Sequence, residues 1–226
     1  MTPGFKFIDR QEALDALKVN DGIKVKKMTF GDFSYHSVDN FFKTPEKAIE
    51  VLRHYPALSG GVYTPGARQN FTPMDLVPVL KAYKEILAHV GKEVDPTRFI
   101  SASNIVWKGV EVWKNSWIPH TDYDLVCNLW LCDYEGGTAI YKYKGFLSDK
   151  DITPEVLYAR ELDRTTLVPW QNFDGDDDWE LYCVIPSQFN TVAIYDGSNF
   201  HGTYAIFNEE YRYSLISFYQ PERSFA

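Results

Sequence analysis

His120-Thr121-Asp122 sets an imidazole and a carboxylate two residues apart. In an extended segment residues i and i+2 project from one face, so the pair could offer a nitrogen and an oxygen to a single metal ion. His201 is the best third donor. It follows the strand-like run Thr191–Tyr195 and the turn-forming Asp196-Gly197-Ser198-Asn199, and strands distant in sequence become neighbours in a small barrel. Two histidines and a carboxylate on one side of a metal leave the other side open, the facial set of non-haem Fe(II) chemistry. The competing reading is local: a histidine hydrogen-bonded beside a turn aspartate satisfies polar groups without any metal. Arg212 and Ser214, again two apart, share a face of the apolar run Tyr211–Tyr219. If that face is buried the guanidinium needs an anion, because an unpaired buried charge is costly, and a carboxylate meets it in a planar two-point contact. A salt bridge to Glu209 or Glu210, or exposure at the strand end, is the alternative.

Strands must position these groups, and the apolar period changes to two near residue 99. Runs at 100–112, 120–134, 138–146, 181–185, 191–195 and 211–220 are rich in Val, Ile, Tyr, Phe and Trp and are separated by Gly, Pro, Asn and Asp. Glu135-Gly136-Gly137 reads as a hairpin turn between two of them. Residues 1–98 read as mostly helical support. Asp9 caps a segment carrying Ala13, Leu14 and Leu17; Thr44-Pro45 opens a second, and Thr72-Pro73 a third that ends at Gly91, with Pro78 either kinking it or marking its true start. An insert at 147–180 holds a short helix from Thr153 and an Asp-rich loop, whose spacing does not fit a calcium-binding EF-hand. Helices followed by strands without βαβ alternation predict a mainly β, α+β fold of one domain, 1–226: a β-sandwich or barrel over 99–222 flanked by N-terminal helices. Counting on from His120 and Asp122, unbroken pairing puts Asp124, Val126, Asn128 and Trp130 on the same face, unless a bulge intervenes near Tyr123-Asp124.

The 226 residues carry 23 basic and 31 acidic side chains, a net charge of −8 with no Lys/Arg block, which disfavours a nucleic-acid partner. No apolar run is long enough for a membrane span, and Met1–Lys6 lacks the layout of a secretory signal, so the expected location is cytoplasmic. Three cysteines without Cys-x-x-Cys spacing read as small buried hydrophobes. The 15 Phe, 15 Tyr and 6 Trp suit strands and ligand pockets alike.

Taken in order, His120-x-Asp122, Leu129-Trp-Leu-Cys-Asp-Tyr-Glu-Gly-Gly-Thr138, Asp196-Gly-Ser-Asn-Phe-His201 and Arg212-x-Ser214 resemble the Fe(II)- and 2-oxoglutarate-dependent oxygenases, nearest their prolyl-hydroxylase-like branch. The resemblance covers roughly residues 100 to 220. It implies a double-stranded β-helix, or jelly roll, with iron on His120, Asp122 and His201. Arg212 and Ser214 would hold the distal carboxylate of 2-oxoglutarate, and Asn128 its metal-end carboxylate. O2 would be the oxidant, the cosubstrate would be decarboxylated to succinate, and a C–H bond of a small metabolite, amino acid or peptide side chain would be hydroxylated. Asp122 favours hydroxylation, since similar halogenating proteins have a small residue there. Trp117, Tyr123, Trp130, Asn199 and Trp170 are candidates for the substrate pocket, with Trp117, Trp170 and Trp179 as a possible lid. Two alternatives stay open: a non-catalytic jelly-roll binding module without metal, and a cupin-type metalloenzyme needing no 2-oxoglutarate, disfavoured by the lack of a His-x-His pair.

Overall fold

Every residue of Leu125–Trp130 is buried, with Leu125, Cys127 and Leu129 on one face of the strand and Val126, Asn128 and Trp130 on the other. In the computed structural model, residues 9–59, 66–114, 119–122, 124–132, 134–144, 163–206 and 211–221 are described. The elements in chain order are α1 (Arg10–Ala16), β1 (Val25–Phe30), β2 (Phe33–Val38), α2 (Pro45–Arg53), β3 (Leu58–Ser59), β4 (Ala67–Phe71), α3 (Val77–His89), β5 (Phe99–Trp107), β6 (Glu111–Lys114), β7 (Leu125–Trp130), β8 (Glu135–Tyr143), β9 (Asp163–Pro169), β10 (Trp179–Pro186), β11 (Thr191–Asp196), β12 (His201–Ile206) and β13 (Tyr211–Tyr219).

Eight strands form the main sheet in the order β1-β2-β11-β7-β13-β5-β4-β3, and three form a smaller sheet, β10-β8-β12. Their pairings are antiparallel. One face of the main sheet, with Leu125, Cys127, Leu129, Val192, Tyr213 and Leu215, packs on α2 and α3 through Leu52, Leu80, Tyr83 and Leu87. The other face carries Val126, Trp130, Ala193 and Tyr195, which meet Ile140 and Ile185 of the smaller sheet. Helices, main sheet and smaller sheet thus form three layers with two apolar interfaces, a jelly roll with its helices on one side. Among the described residues no helix is long and apolar enough to cross a membrane.

Several expectations hold in detail. Asp9 caps α1 by accepting from the Gln11 and Glu12 amides. Pro78 marks the start of α3; Thr72-Pro73 forms a separate turn in which the Asp75 carboxylate accepts from the Thr72 amide at 2.7 Å and hydroxyl at 2.6 Å.

Others are corrected. Residues 1–98 are not mostly helical. The alternation Phe33-Ser-Tyr35 in β2, turned by Gly31-Asp32 onto β1, makes a hairpin whose Phe33 and Tyr35 enter the inter-sheet core, and β3 and β4 extend the other edge of the sheet. Gly136 and Gly137 are not a turn but lie inside β8. Their φ values of +119° and +155° allow the β12 and β10 backbones to approach: a Cβ would meet the Tyr204 carbonyl at Gly136 and the Ile185 carbonyl at Gly137. The 147–180 segment is not simply an insert: β9 pairs with β6, and Trp179 opens β10. The helix expected from Thr153 lies outside the described residues.

Replacing Gly137 by Ala should therefore separate β8 from β10 and lower stability by about 2 kcal/mol or more. Gly22→Ala, where nothing lies within 4 Å of the added carbon, should stay within about 0.5 kcal/mol of the wild type. Urea midpoints of the three proteins provide the comparison.

Candidate active site

His120 and His201 are direct partners across an antiparallel backbone pair. The His120 amide donates to the His201 carbonyl at 3.0 Å, and the His201 amide to the His120 carbonyl at 2.8 Å. Paired residues of this kind project to the same side, and the two rings lie 4.8 Å apart between centroids. The bridge adds a one-residue strand beside β12 on the smaller sheet. Asp122, two residues on, is fixed by its amide donating to the Gly197 carbonyl at 2.8 Å, while the Gly197 amide donates back to Asp124 at 3.2 Å. Its Oδ2 lies 3.0 Å from His201 Nε2 and 3.9 Å from His120 Nε2.

The turn before His201 holds the imidazole. Asp196 accepts from the Ser198 amide and hydroxyl, Asn199 Nδ2 donates to the Asp196 carbonyl, and His201 Nδ1 donates to the Asn199 carbonyl at 2.8 Å, leaving Nε2 to face Asp122. A backbone carbonyl on one ring nitrogen is how a ligating histidine is oriented for a metal on the other. Ligand atoms of His120, Asp122 and His201 all lie within 4.8 Å of one another. Bonds of about 2.0–2.2 Å to a common ion would close this set with small side-chain adjustments. Burial pushes the Asp122 carboxyl toward the neutral form, but the hydrogen bond with His201 and the charges of His120, His201 and Arg68 outweigh it, and the group stays below its ordinary range, ionised as a ligand must be. The set is open on one side: side-chain exposure falls from 41% at His120 through 24% at Asp122 to 5% at His201.

A second feature stands on the inner face of the main sheet. Arg212 of β13 is 1% exposed, and its Nε and Nη1 meet no hydrogen-bond acceptor among the described residues. Its guanidinium lies 5.0 Å from the centre of the Tyr134 ring. Among the described residues, buried polar atoms without a partner also include Ser214 Oγ, Asn128 Oδ1, Trp130 Nε1 and the Tyr134 hydroxyl. Strand register brings them together: Ser214 pairs with Trp130, and β7 carries Asn128 and Trp130 on one face. Asn128 Nδ2 donates to Thr138 Oγ1 of the smaller sheet at 3.1 Å, so the Asn128 side chain lies between the sheets. Folded proteins rarely leave so many polar atoms unsatisfied in one place, and a buried cation among them selects an anionic guest.

The structure therefore brings together His120, Asp122 and His201, and separately Arg212, Ser214, Asn128 and Trp130. The burial of Arg212 removes exposure at the strand end as its explanation; Glu209 and Glu210 lie outside the described residues. Parity from Val126 to Trp130 holds, although β7 begins only at Leu125 and His120 belongs to a separate bridge. Asn199 acts through its own turn, with its side chain on the Asp196 carbonyl. The Trp170 amide donates to the Val110 carbonyl, at the end of the β6–β9 ribbon. Trp179 is no lid: it is 2% exposed and packs edge-on against Tyr143 and Phe200 behind the smaller sheet. Trp117 and Tyr123 lie outside the described residues. Sequence reasoning missed Tyr134 and Tyr195, whose ring meets His201 edge-on at 5.3 Å. It also missed Arg68 of β4, whose charge reaches Asp122.

The fold is like that of 2-oxoglutarate/Fe(II) oxygenase structures. The chain is similar to HygX from Streptomyces hygroscopicus solved with nickel and 2-oxoglutarate, at a TM-score of 0.50 and 12% identity over 80% of this chain and 78% of that one. It is also similar to HygX with nickel, 2-oxoglutarate and hygromycin B, at 0.52 and 10% over 84% and 83%. A Pseudomonas putida prolyl-4-hydroxylase aligns at 0.45 and 11% over 79% and 86%. No protein-family model matches the sequence, and no curated protein matches it.

The triad geometry predicts that the wild type binds one Co(II) or Zn(II). Asp122→Ala should weaken that affinity by more than the roughly 10–100-fold lost when an outer partner of a ligand is removed. Calorimetric titration measures it.

Proposed function

We propose that this protein is an Fe(II)- and 2-oxoglutarate-dependent dioxygenase that hydroxylates, or otherwise oxidises, an unactivated C–H bond of a small metabolite, amino acid or peptide side chain. The observation that carries the reading is the pairing of a three-ligand cluster, with ligand atoms within 4.8 Å, and a buried Arg212 surrounded by unpartnered polar atoms on the same inner side of the jelly roll.

The residues fit both groups. His120, Asp122 and His201 would hold the metal. Arg212 would take the far carboxylate of 2-oxoglutarate in a bidentate contact, Ser214 would donate a hydroxyl to it, and Asn128, two residues before Trp130 on the same face of β7, would meet the rest of the molecule. Iron and 2-oxoglutarate together supply oxygen activation, with release of CO2 and succinate and delivery of one oxygen atom to the substrate.

The protein's own contribution is placement and exclusion of water. Arg212 is fully enclosed while His120 is half-exposed, so 2-oxoglutarate held by these residues would have its far carboxylate sealed and its other end toward the opening. Val126, Ile140 and Tyr195 wall the inner space with apolar surface, which keeps water from competing at the reacting end. Asp122 fills a ligand position with a carboxylate, which supports oxygen insertion over halide transfer. The net charge of −8 supports a small-molecule or peptide substrate over a nucleic acid.

With Fe(II), the purified wild type should convert 2-oxoglutarate to succinate slowly without added substrate, and Arg212→Ala should raise the 2-oxoglutarate requirement by roughly 30-fold or more. Failure of the wild type to bind metal would favour a binding module, and metal binding without 2-oxoglutarate turnover a cupin-type enzyme. A second outcome follows from the buried charge. 2-Oxoglutarate at about 100 times its Kd should stabilise the wild type by about 2.7 kcal/mol. Arg212→Met should be at least as stable as the ligand-free wild type and gain nothing from the ligand, by thermal unfolding.

A further inference from the structure

A row of paired residues crosses the inner face of the main sheet from the site to its edge. Trp130 of β7 pairs with Ser214 of β13, Ser214 with Asn104 of β5, and Asn104 with Arg68 of β4. Paired residues share a face, so Arg68 projects to the same side as Ser214, and successive strands about 4.8 Å apart put its backbone roughly 10 Å from Ser214. Arg68 Nε donates to Asn104 Oδ1 at 2.9 Å, and Asn104 is buried. That bond fixes the guanidinium plane through one nitrogen and leaves both Nη groups without a hydrogen-bond acceptor among the described residues. The side chain is half-buried, like the neighbouring Asp122 and unlike enclosed Arg212. No carboxylate of the described residues lies within ion-pair distance of it. Arg53, by contrast, is spent on the Tyr211 and Tyr213 rings.

The charges sharpen the point. With the site filled as proposed above, the two positive charges of the metal and the one of Arg212 are matched by Asp122 and the two carboxylates of 2-oxoglutarate. Arg68 is left over, its charge within electrostatic reach of the Asp122 carboxylate. Burial meanwhile pushes its own pKa down, so its charged form gains from an added anion.

We propose that Arg68 is a substrate-binding residue: its Nη groups, unpartnered among the described residues and braced by Asn104 on the inner face of the main sheet, take an oxyanion (a carboxylate or phosphate) carried by the substrate. This rests on the oxygenase reading, and it narrows the substrate class to acidic metabolites or acidic side chains. A planar fork with its two outer nitrogens free is the geometry that recognises such groups. It also sets a cation at the mouth of a site in an acidic protein, where it steers anions inward.

Two measurements test it. Inorganic sulfate is titrated calorimetrically into protein loaded with Zn(II) and saturating 2-oxoglutarate, so that Arg212 is already occupied. Sulfate should bind the wild type and bind Arg68→Gln roughly tenfold or more weakly. Equal affinity in the two proteins, or none in either, overturns the proposal. In the Fe(II) assay, aspartate against asparagine, glutamate against glutamine, and peptide acids against their amides are compared as stimulants of succinate release. The acids should be preferred by the wild type, and the preference should collapse toward one in Arg68→Gln; a preference that survives the substitution, or amides that work as well as acids, also overturns it. If sulfate binding depends on Arg68 while the wild type never consumes 2-oxoglutarate, the anion site stands and the oxygenase reading fails.

Discussion

The two hydrogen bonds exchanged between the backbones of His120 and His201 are the constraint on which the site depends. They join segments far apart in sequence at a single register, and that register alone makes the imidazoles neighbours. A slip by one residue would turn one ring to the other face of the smaller sheet. The adjoining exchange between Asp122, Gly197 and Asp124 locks the aspartate's segment to the turn that orients His201, so all three donors are placed by main-chain bonds. Placement of this kind survives changes in the surrounding side chains, and it leaves the open side of the cluster to be shaped by loops.

The main sheet works because its two faces are chemically opposed. Its outer face, with Cys127, Leu129, Tyr213 and Leu215, is sealed by α2 and α3, while its inner face combines an apolar contact with the smaller sheet through Val126, Ala193 and Tyr195 with buried polar groups. On the inner face Arg212, Ser214, Asn128 and Trp130 are removed from water with polar atoms unmatched among the described residues. Each such atom is destabilising by itself. Their concentration in one place is the mark of a binding function held at a cost to stability, met by the helix-side core.

Much of this was legible in sequence because local geometry carried it. The i, i+2 spacing of His120 with Asp122, and of Arg212 with Ser214, needs only an extended backbone, and the parity of Val126, Asn128 and Trp130 needs only a regular strand. What failed was non-local. Ala67–Phe71 contains Arg68, Gln69 and Asn70, polar on both faces, and becomes a strand only because β5 offers its edge, so Arg68 could not be seen as a site residue. Gly136-Gly137 has the composition of a turn, yet the need of β10 and β12 to approach β8 from both sides is what selects glycine there. That misreading detached Tyr134 from Arg212. The hairpin of β1 and β2 was missed because the Lys-rich outer strand shows little apolar alternation.

A metal at His120, Asp122 and His201 and a dicarboxylate at Arg212, both in the space between the two sheets, are the two halves of the proposed site. An anaerobic crystal structure of the protein with Fe(II) and 2-oxoglutarate tests both halves at once. A single metal is expected on His120 Nε2, His201 Nε2 and an Asp122 oxygen, with one carboxylate of the cosubstrate on Arg212 and Ser214 and its other end on the metal. A metal bound elsewhere, or 2-oxoglutarate absent from Arg212 in crystals that contain the metal, would contradict it.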